Sequence, residues 1–372
     1  VICKVASKEI EELESTNVFP QTSFWARIKN HQGYLPNGFQ LTVSKDLLNP
    51  LGPVNHKIED DLLILIKYVS QDQCYAYVPY GPKVEPEFEN YGIFLEVLSE
   101  VLKSHLPPGC IYIKYDLPWK NQWAHEKGFY DSRGSWTGPP ADNIQEFRLN
   151  FKTQNWMLQK SPSDILPTNT FFLNLNMGEN ELLYRMKPKT RYNIRLSLRK
   201  GVHVKEYGKD KLDDWYRLYT DTAIRNNLTL HHKEFFSSVL DHEGDSDGTV
   251  EASLLMADHE GEYLSAMFLL LSRKRGTYLY GASSSNKRHL MASYALQWEA
   301  IRRAQHHGCT EYDLFGCAPN PDQSHPLHGL YRYKQGFGGK IYHRMGCWDY
   351  PLILDDYKLI KAQEVNNQGY QA

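Results

Sequence analysis

"YLYGASSSNKRHLMASYALQWEAIRRAQHHGCTEYD", residues 278–313, carries the signals that decide the fold. It opens on the strand-like run "YLYGASS", rich in aromatic and aliphatic residues. The central "SYALQWEAIRRAQHHG" reads as a helix that stops at Gly308. A second strand, "TEYDLFG" at 310–316, follows at once. Residues 75–116 repeat this order: the strand "YAYVPYG", a loop, the helix "NYGIFLEVLSEVLKSHL", and the strand "IYIKYD". Phe94, Val97, Leu98, Val101, Leu102 and Leu106 give that helix its apolar stripe, and "LPPG" at 106–109 ends it. Both units close on an aspartate, Asp116 and Asp313, at the C-terminal end of a strand. An internal structural repeat follows.

Working outward, "FQLTVSK", "DLLILIKYVSQ", "CYAYVPYG" and "CIYIKYDLP" read as strands. In the second half "LDDWYRLYTDTAIRNN" and "KEFFSSVLDH" read as helices, and "VEASLLMADHEGEYLSAMFLLLS" as a hairpin turning at Glu260-Gly261. The class is mixed α/β (α+β), and strands interrupted by one helix in this way fit the GNAT type of acyltransferase fold, present twice. A chain of 372 residues also exceeds what one core holds, roughly 250–300 residues. Two GNAT-like domains in tandem are expected, 1–166 and 167–345, parted near Pro167 inside the polar stretch "FKTQNWMLQKSPSDILPTNT". Residues 346–372 form a C-terminal segment that could pack back on the first domain.

Lys+Arg 42 against Asp+Glu 44 leaves a formal charge of −2. The overall field is therefore weak, and any nucleic acid or membrane has to meet a local patch. Cys3, Cys74, Cys110, Cys309, Cys317 and Cys347 show no C-x-x-C spacing. They read as reduced thiols of a cytoplasmic protein, with Cys309 and Cys317 as core thiols. The longest apolar run, "DLLILIKYV", falls far short of the roughly 18–20 residues of a transmembrane helix. No signal peptide is read at the start, and with Val as residue 1 a trimmed start is expected.

The one local patch is "RMKPKTRYNIRLSLRKGVHVK", residues 185–205, with eight basic residues and no acid. Arg191, Arg195 and Arg199 fall at i, i+4, i+8, on one face of a helix. A solvated helix normally interleaves glutamates, and guanidinium groups bind phosphate bidentately. Arg191, Arg195, Lys187 and Lys189 are thus candidate phosphate ligands, for a pyrophosphate or a nucleic-acid backbone. A GNAT enzyme using acyl-CoA needs a glycine-rich turn whose backbone N–H groups cradle the pyrophosphate. Here that turn, "SSSNKRHLMASY" at 283–294, has no glycine, which points to a different acyl donor.

The segments "KPKTRYNIRLSLRKGV", "YLYGASS", "SYALQWEAI", "YDLFG" and "HPLHGLYRYKQGFGG" resemble, in that order, the Fem-type (FemABX) peptidoglycan bridge aminoacyltransferases. "SFWARIKN" and "PYGPKVE" extend the likeness to the first half, so that it covers most of residues 18–345. The resemblance implies two GNAT-like domains and transfer of an aminoacyl group from aminoacyl-tRNA to the side-chain amine of a peptidoglycan stem peptide. Its acceptor is lipid II or UDP-MurNAc-pentapeptide. It implies that Lys29 and Arg199 grip the acceptor's phosphates, that Tyr280 binds the acceptor, that Glu85 contacts the stem peptide, and that Lys334 is catalytic. A nucleic-acid backbone meeting Arg191, Arg195, Lys187 and Lys189 would, in this resemblance, be that of tRNA. Three departures stand out: Tyr80 replaces a basic residue before Gly-Pro, Tyr333 replaces a phenylalanine beside the lysine, and residues 229–250 leave no room for the helical arm of many members. An arm-less form is expected, without a coiled coil.

The chemistry accounts for Lys334. An amine attacking an ester carbonyl builds negative charge on the oxygen, which a fixed ammonium stabilises. Tyr333 and Phe337 are expected to limit its motion, and Gly336, Gly338 and Gly339 to leave room for substrate. The donor is already activated, so positioning supplies much of the rest. No cofactor is expected, and no metal: His325 with His328, His231-His232 and His306-His307 lack ligand-spaced carboxylates or thiols. Asp116 and Asp313 read as loop-capping residues before catalytic bases. The alternatives are an acyl-CoA-dependent GNAT N-acyltransferase and a non-catalytic protein binding nucleic acid through 185–205. A cytoplasmic location is expected, with at most peripheral membrane contact at the inner face.

Overall fold

The run from Asp61 to Ile66 is buried without a break, the mark of a central strand covered on both faces. A computed structural model describes residues 3–49, 57–226, 229–241 and 250–368. It divides into two compact units. The first holds residues up to 14, 20–168 and those from 343 onward; the second holds 15–19 and 169–342.

The first unit runs β1 (Cys3–Lys8), α1 (Ser23–His31), β2 (Leu35–Ser44), α2 (Lys45–Leu48), β3 (Lys57–Tyr68), β4 (Cys74–Val78), α3 (Tyr91–Leu102), β5 (Cys110–Lys120), α4 (Asp142–Asn150) and β6 (Gln159–Lys160). The second runs β7 (Asn169–Asn174), α5 (Glu179–Arg185), α6 (Pro188–Arg199), β8 (His203–Tyr207), α7 (Leu212–Asn226), α8 (Lys233–Leu240), β9 (Val250–His259), β10 (Glu262–Ser272), β11 (Arg275–Ser283), α9 (Ala292–His306), β12 (Glu311–Asp313) and α10 (His328–Gln335). Strand β13 (Lys340–Pro351) follows, its residues from His343 counted with the first unit, and then α11 (Leu354–Gln368).

In the first unit β1, β2, β3 and β4 pair antiparallel in sequence order. Strand β4 then pairs parallel with β5, and β5 antiparallel with the end of β13. The second unit repeats the plan: β8, β9, β10 and β11 pair antiparallel, β11 pairs parallel with β12, and β12 antiparallel with β7. Each parallel pair needs a crossover, supplied by α3 and α9. Helix α3 buries Phe94, Leu95, Leu98 and Leu102 in the first core. Helix α9 buries Ala295, Leu296, Ala300, Ile301 and Ala304 in the second, its alanines letting the helix approach so closely that a Cβ on Gly276 would lie 2.6 Å from that of Ala304. These are the two repeat units expected from the sequence.

Several boundaries move. Strand β12 stops at Asp313, short of the expected Gly316, while β5 continues past Asp116 to Lys120. Helix α3 ends at Leu102 and tightens into a 3-10 turn over Lys103–His105. The hairpin turns where expected, with Glu260 at φ 53° and Gly261 at φ 81°, the left-handed pair that a two-residue connection favours. Asn227, His242 and part of the stretch judged too short for an arm, 242–249, lie outside the described residues. Among the described residues no helix exceeds the 15 residues of α7, α9 and α11, and none is long and apolar enough to cross a membrane. All six cysteines are buried, and none forms a disulfide among the described residues.

Candidate active site

In the second unit the parallel strands stay paired only from Arg275 to Thr277 and from Glu311 to Asp313. Beyond that point β11 continues while the chain after β12 turns away. Asp313 makes the turn: its Oδ1 accepts the Phe315 N–H at 2.7 Å and the Thr170 hydroxyl. Phe315 takes the left-handed conformation, φ 57°. The turn aims two carbonyls at Lys334, whose Nζ donates to Phe315 O at 3.1 Å and to Gly316 O at 2.6 Å. The ammonium also lies 5.1 Å from the centre of the Tyr278 ring, within cation–π range.

Lys334 is 3% exposed. Burial lowers its pKa to about 8, against the opposing pull of Cys317 and Asp313. An ammonium has three N–H donors, and the two carbonyls take two of them. At pH 7, below that pKa, the group stays mostly protonated and able to donate hydrogen bonds.

The neighbours differ from those expected. Tyr333 and Phe337 do not hold the ammonium. They pack on each other and on Tyr294, and the Tyr333 hydroxyl donates to Ser293 O at 2.8 Å. Tyr278 and the two carbonyls hold it. The glycines do not open space for a substrate either. A Cβ on Gly336 would strike Thr190 Oγ1, one on Gly338 (φ 83°) would lie 2.6 Å from Arg185 O, and one on Gly339 2.9 Å from Phe172 O. They let α10 close onto β7 and the α5–α6 junction.

A bulge in β11 separates two tyrosines that strict alternation would put on one face. Tyr280 pairs with Phe268 and Tyr278 with the next residue, Leu269, leaving Leu279 as the extra residue. Tyr278 therefore joins the core on the α9 side. Tyr280 faces the other way, among Tyr219, Phe235 and Phe236, with its hydroxyl 3.3 Å from His231 Nε2. Burial raises the Tyr280 pKa, helped by Tyr219. Tyr280 and Lys334 thus lie on opposite faces of this sheet. His231 had no signal beyond its place in a histidine pair.

Helix α6 starts at Pro188, a residue suited to the first helical turn, and ends through Gly201 at φ 77°. Thr190, Asn193, Ile194 and Ser197 form its buried face. Arg191 does not share the open face with Arg195 and Arg199. Its Nη1 turns back onto the carbonyls of Leu183, Tyr184 and Met186 and caps the end of α5. Arg195, Arg199 and Lys189 are exposed. Lys187 donates from its backbone to Gly336 O at 2.9 Å and from Nζ to Gln335 Oε1, tying the start of α6 to the end of the lysine-bearing helix.

Lys29 and Glu85 belong to the first unit. Lys29 is half-buried on α1, donating to Gln32 Oε1 at 2.7 Å, with its Nζ 4.9 Å from the centre of the Trp25 ring. Burial, then repulsion from Lys67, lowers its pKa to about 8. Glu85, exposed in the loop after β4, accepts from the Tyr91 hydroxyl and, at 3.4 Å, from Lys120 N. Tyr80, the departure before Gly-Pro, is buried: its hydroxyl donates to Pro167 O at 2.5 Å and its ring lies 4.6 Å from the Arg344 guanidinium. Asp116 accepts from the Tyr77 hydroxyl and Leu166 N, and burial raises its pKa to about 7. Both repeat aspartates therefore cap loops. Among the described residues no group of three or more His, Cys, Asp or Glu could hold a metal ion.

The FemAB family profile matches residues 10–258 and 250–364. The chain belongs to the FemAB family. The lipid II:glycine glycyltransferase of Staphylococcus haemolyticus is 24% identical over 274 residues, 57% of this chain and 65% of that protein; its counterpart in Staphylococcus saprophyticus is 23% identical over 280 residues, 59% and 68%. The chain thus aligns with less than two thirds of the first of these relatives. The crystal structure of FemX superimposes with a TM-score of 0.68 at 20% identity, covering 95% of this chain and 96% of that one. The FemAB chain therefore has the tandem GNAT-like fold expected for it, on the Fem-type plan.

Proposed function

We propose that this FemAB protein is a tRNA-dependent aminoacyltransferase that adds an amino acid to the stem-peptide side-chain amine of a peptidoglycan precursor, building an interpeptide bridge. The observation that carries the reading is the buried Lys334 ammonium, held by the carbonyls of Phe315 and Gly316 where β11 and β12 part. In this reading the acceptor amine attacks the ester carbonyl carbon of the aminoacyl-tRNA. A C–N bond forms, the C–O bond to the terminal ribose breaks, and the amine proton ends on the ribose oxygen. The third N–H of Lys334 stabilises the intermediate oxyanion. By the family resemblance Lys29 and Arg199 are each assigned to the acceptor's phosphates, Tyr280 to acceptor binding and Glu85 to the stem peptide, while Tyr333, packed on Tyr294 and Phe337 with its hydroxyl on Ser293 O, is given no such role. The relatives named for lipid II and glycine make lipid II the first acceptor to test and glycine the first donor.

The acyl-CoA alternative has little support. The turn after β11 has no glycine, and Lys287 and Met291, at φ 46° and 55°, carry side chains where a cradle needs bare backbone. The test is mass analysis of lipid II and of UDP-MurNAc-pentapeptide after incubation with the protein and charged tRNA. A gain of one aminoacyl residue on the side-chain amine is expected. A gain from an acyl-CoA, with none from charged tRNA, would overturn the reading.

A further inference from the structure

Besides Arg199, helices α5 and α6 expose groups to which the proposed reaction assigns no role. Tyr184 is 80% exposed and Tyr192 56%, although large aromatic rings are normally buried. At helical spacing Tyr192, Arg195 and Arg199 form one stripe, opposite the buried face of Thr190, Asn193, Ile194 and Ser197. Lys189 and Lys200 flank it, both exposed. Helix α6 contains no acid, and among the described residues none of Lys189, Arg195, Arg199 and Lys200 forms an ion pair with a carboxylate. Arg191, bonded to the carbonyls of Leu183, Tyr184 and Met186, fixes α5 against α6 and with it the backbone that carries Tyr184.

We infer that this stripe binds the unpaired 3′ end of the donor RNA, Tyr184 and Tyr192 stacking on bases while Lys189, Arg195 and Lys200 meet the phosphates. The inference rests on the proposed function and adds the surface that presents the donor. Exposed aromatic rings set among unpaired cations are how proteins hold a single strand: the rings take base faces and the cations the backbone. Helix α6, 12 residues long, spans about 18 Å, room for about five nucleotides at the roughly 3.4 Å charge spacing of a stacked strand. Its N-terminal end abuts α10 through Lys187, bonded to Gly336 O and Gln335. A strand following the stripe toward that end runs to the C-terminal end of α10, the helix that carries Lys334.

Binding of deacylated bulk tRNA, followed by fluorescence anisotropy at several salt concentrations, tests this without transfer. Tyr184→Ala and Tyr192→Ala are each expected to weaken binding about tenfold with an unchanged salt slope. Arg195→Glu is expected to weaken it with a shallower slope. In transfer assays Tyr192→Ala should raise KM for aminoacyl-tRNA and leave KM for the acceptor unchanged. Circular dichroism checks that the variants fold, as these exposed positions should allow. Equal tRNA affinity in the double tyrosine variant, or a KM rise confined to the acceptor, would overturn the inference. Failure of the proposed function looks different: tRNA bound through the stripe, with no acceptor modified.

Discussion

Replacing Lys334 by Met keeps most of the side-chain volume and removes the ammonium. The variant loses the hydrogen bonds to Phe315 O and Gly316 O and the third N–H, the proposed oxyanion donor. Loss of a single oxyanion donor costs roughly 3–4 kcal/mol of transition-state stabilisation. At about 1.4 kcal/mol per factor of ten, that is a fall of about 10²–10³-fold in the rate of transfer. The assay is single-turnover transfer with both substrates saturating, so that weakened binding does not mimic lost chemistry. Urea unfolding runs in parallel, because Phe315 O and Gly316 O lose a partner at about 1–3 kcal/mol each if they stay dry. A folded variant that transfers within about threefold of the parent rate would refute the reasoning and leave Lys334 as a tie between α10 and the turn after β12.

The lysine also makes a prediction about stability against pH. Its pKa falls from 10.5 to about 8 on folding, so below pH 8 the folded state carries the full cost of a buried charge. Between about 8 and 10.5 the unfolded chain keeps a proton that the folded one has released, so stability rises with pH; the gap is about 3 kcal/mol at about 1.36 kcal/mol per pH unit. Measured by urea unfolding, the parent should gain about that much on Lys334→Met between pH 7 and pH 10. Asp313→Ala removes the acceptor for Phe315 N and Thr170 Oγ1; kcat should fall more than tenfold with KM for aminoacyl-tRNA within twofold, and Asp313→Asn should recover most of the loss. Gly338→Ala puts a Cβ 2.6 Å from Arg185 O at φ 83° and should cost about 3 kcal/mol in unfolding experiments. Gly201→Ala, at φ 77° with open space around it, should cost only about 1 kcal/mol.

The two strand–helix–strand units were legible because local signals agree there: aromatic and β-branched runs, a helix with an apolar stripe, and a stop such as Gly308 at φ 88°. What escaped depends on contacts distant in sequence. The partners of Lys334 are backbone carbonyls from another loop, aimed by Asp313, and no residue pattern announces a carbonyl. Leu279 looks like any strand residue, yet its bulge puts Tyr280 and Tyr278 on opposite faces. The glycines after Lys334 advertise close approach without saying to what, and the answer is the protein's own Thr190 side chain and the backbone of Arg185 and Phe172. Arg191 falls in step with Arg195 and Arg199 in the sequence, but the C-terminal carbonyls of α5 claim it. Strand β13 was missed because all its residues from His343 to Pro351 are buried, which removes the alternation that marks a strand with one face in water.

The most direct test of the account is transfer itself. Purified protein is incubated with purified lipid II, bulk tRNA charged by a synthetase mixture, and each radiolabelled amino acid in turn, and the lipid fraction is counted. The account predicts label from at least one amino acid, lost when the charged tRNA is treated with RNase beforehand. No label above background from any amino acid, with lipid II or with UDP-MurNAc-pentapeptide in its place, would contradict it.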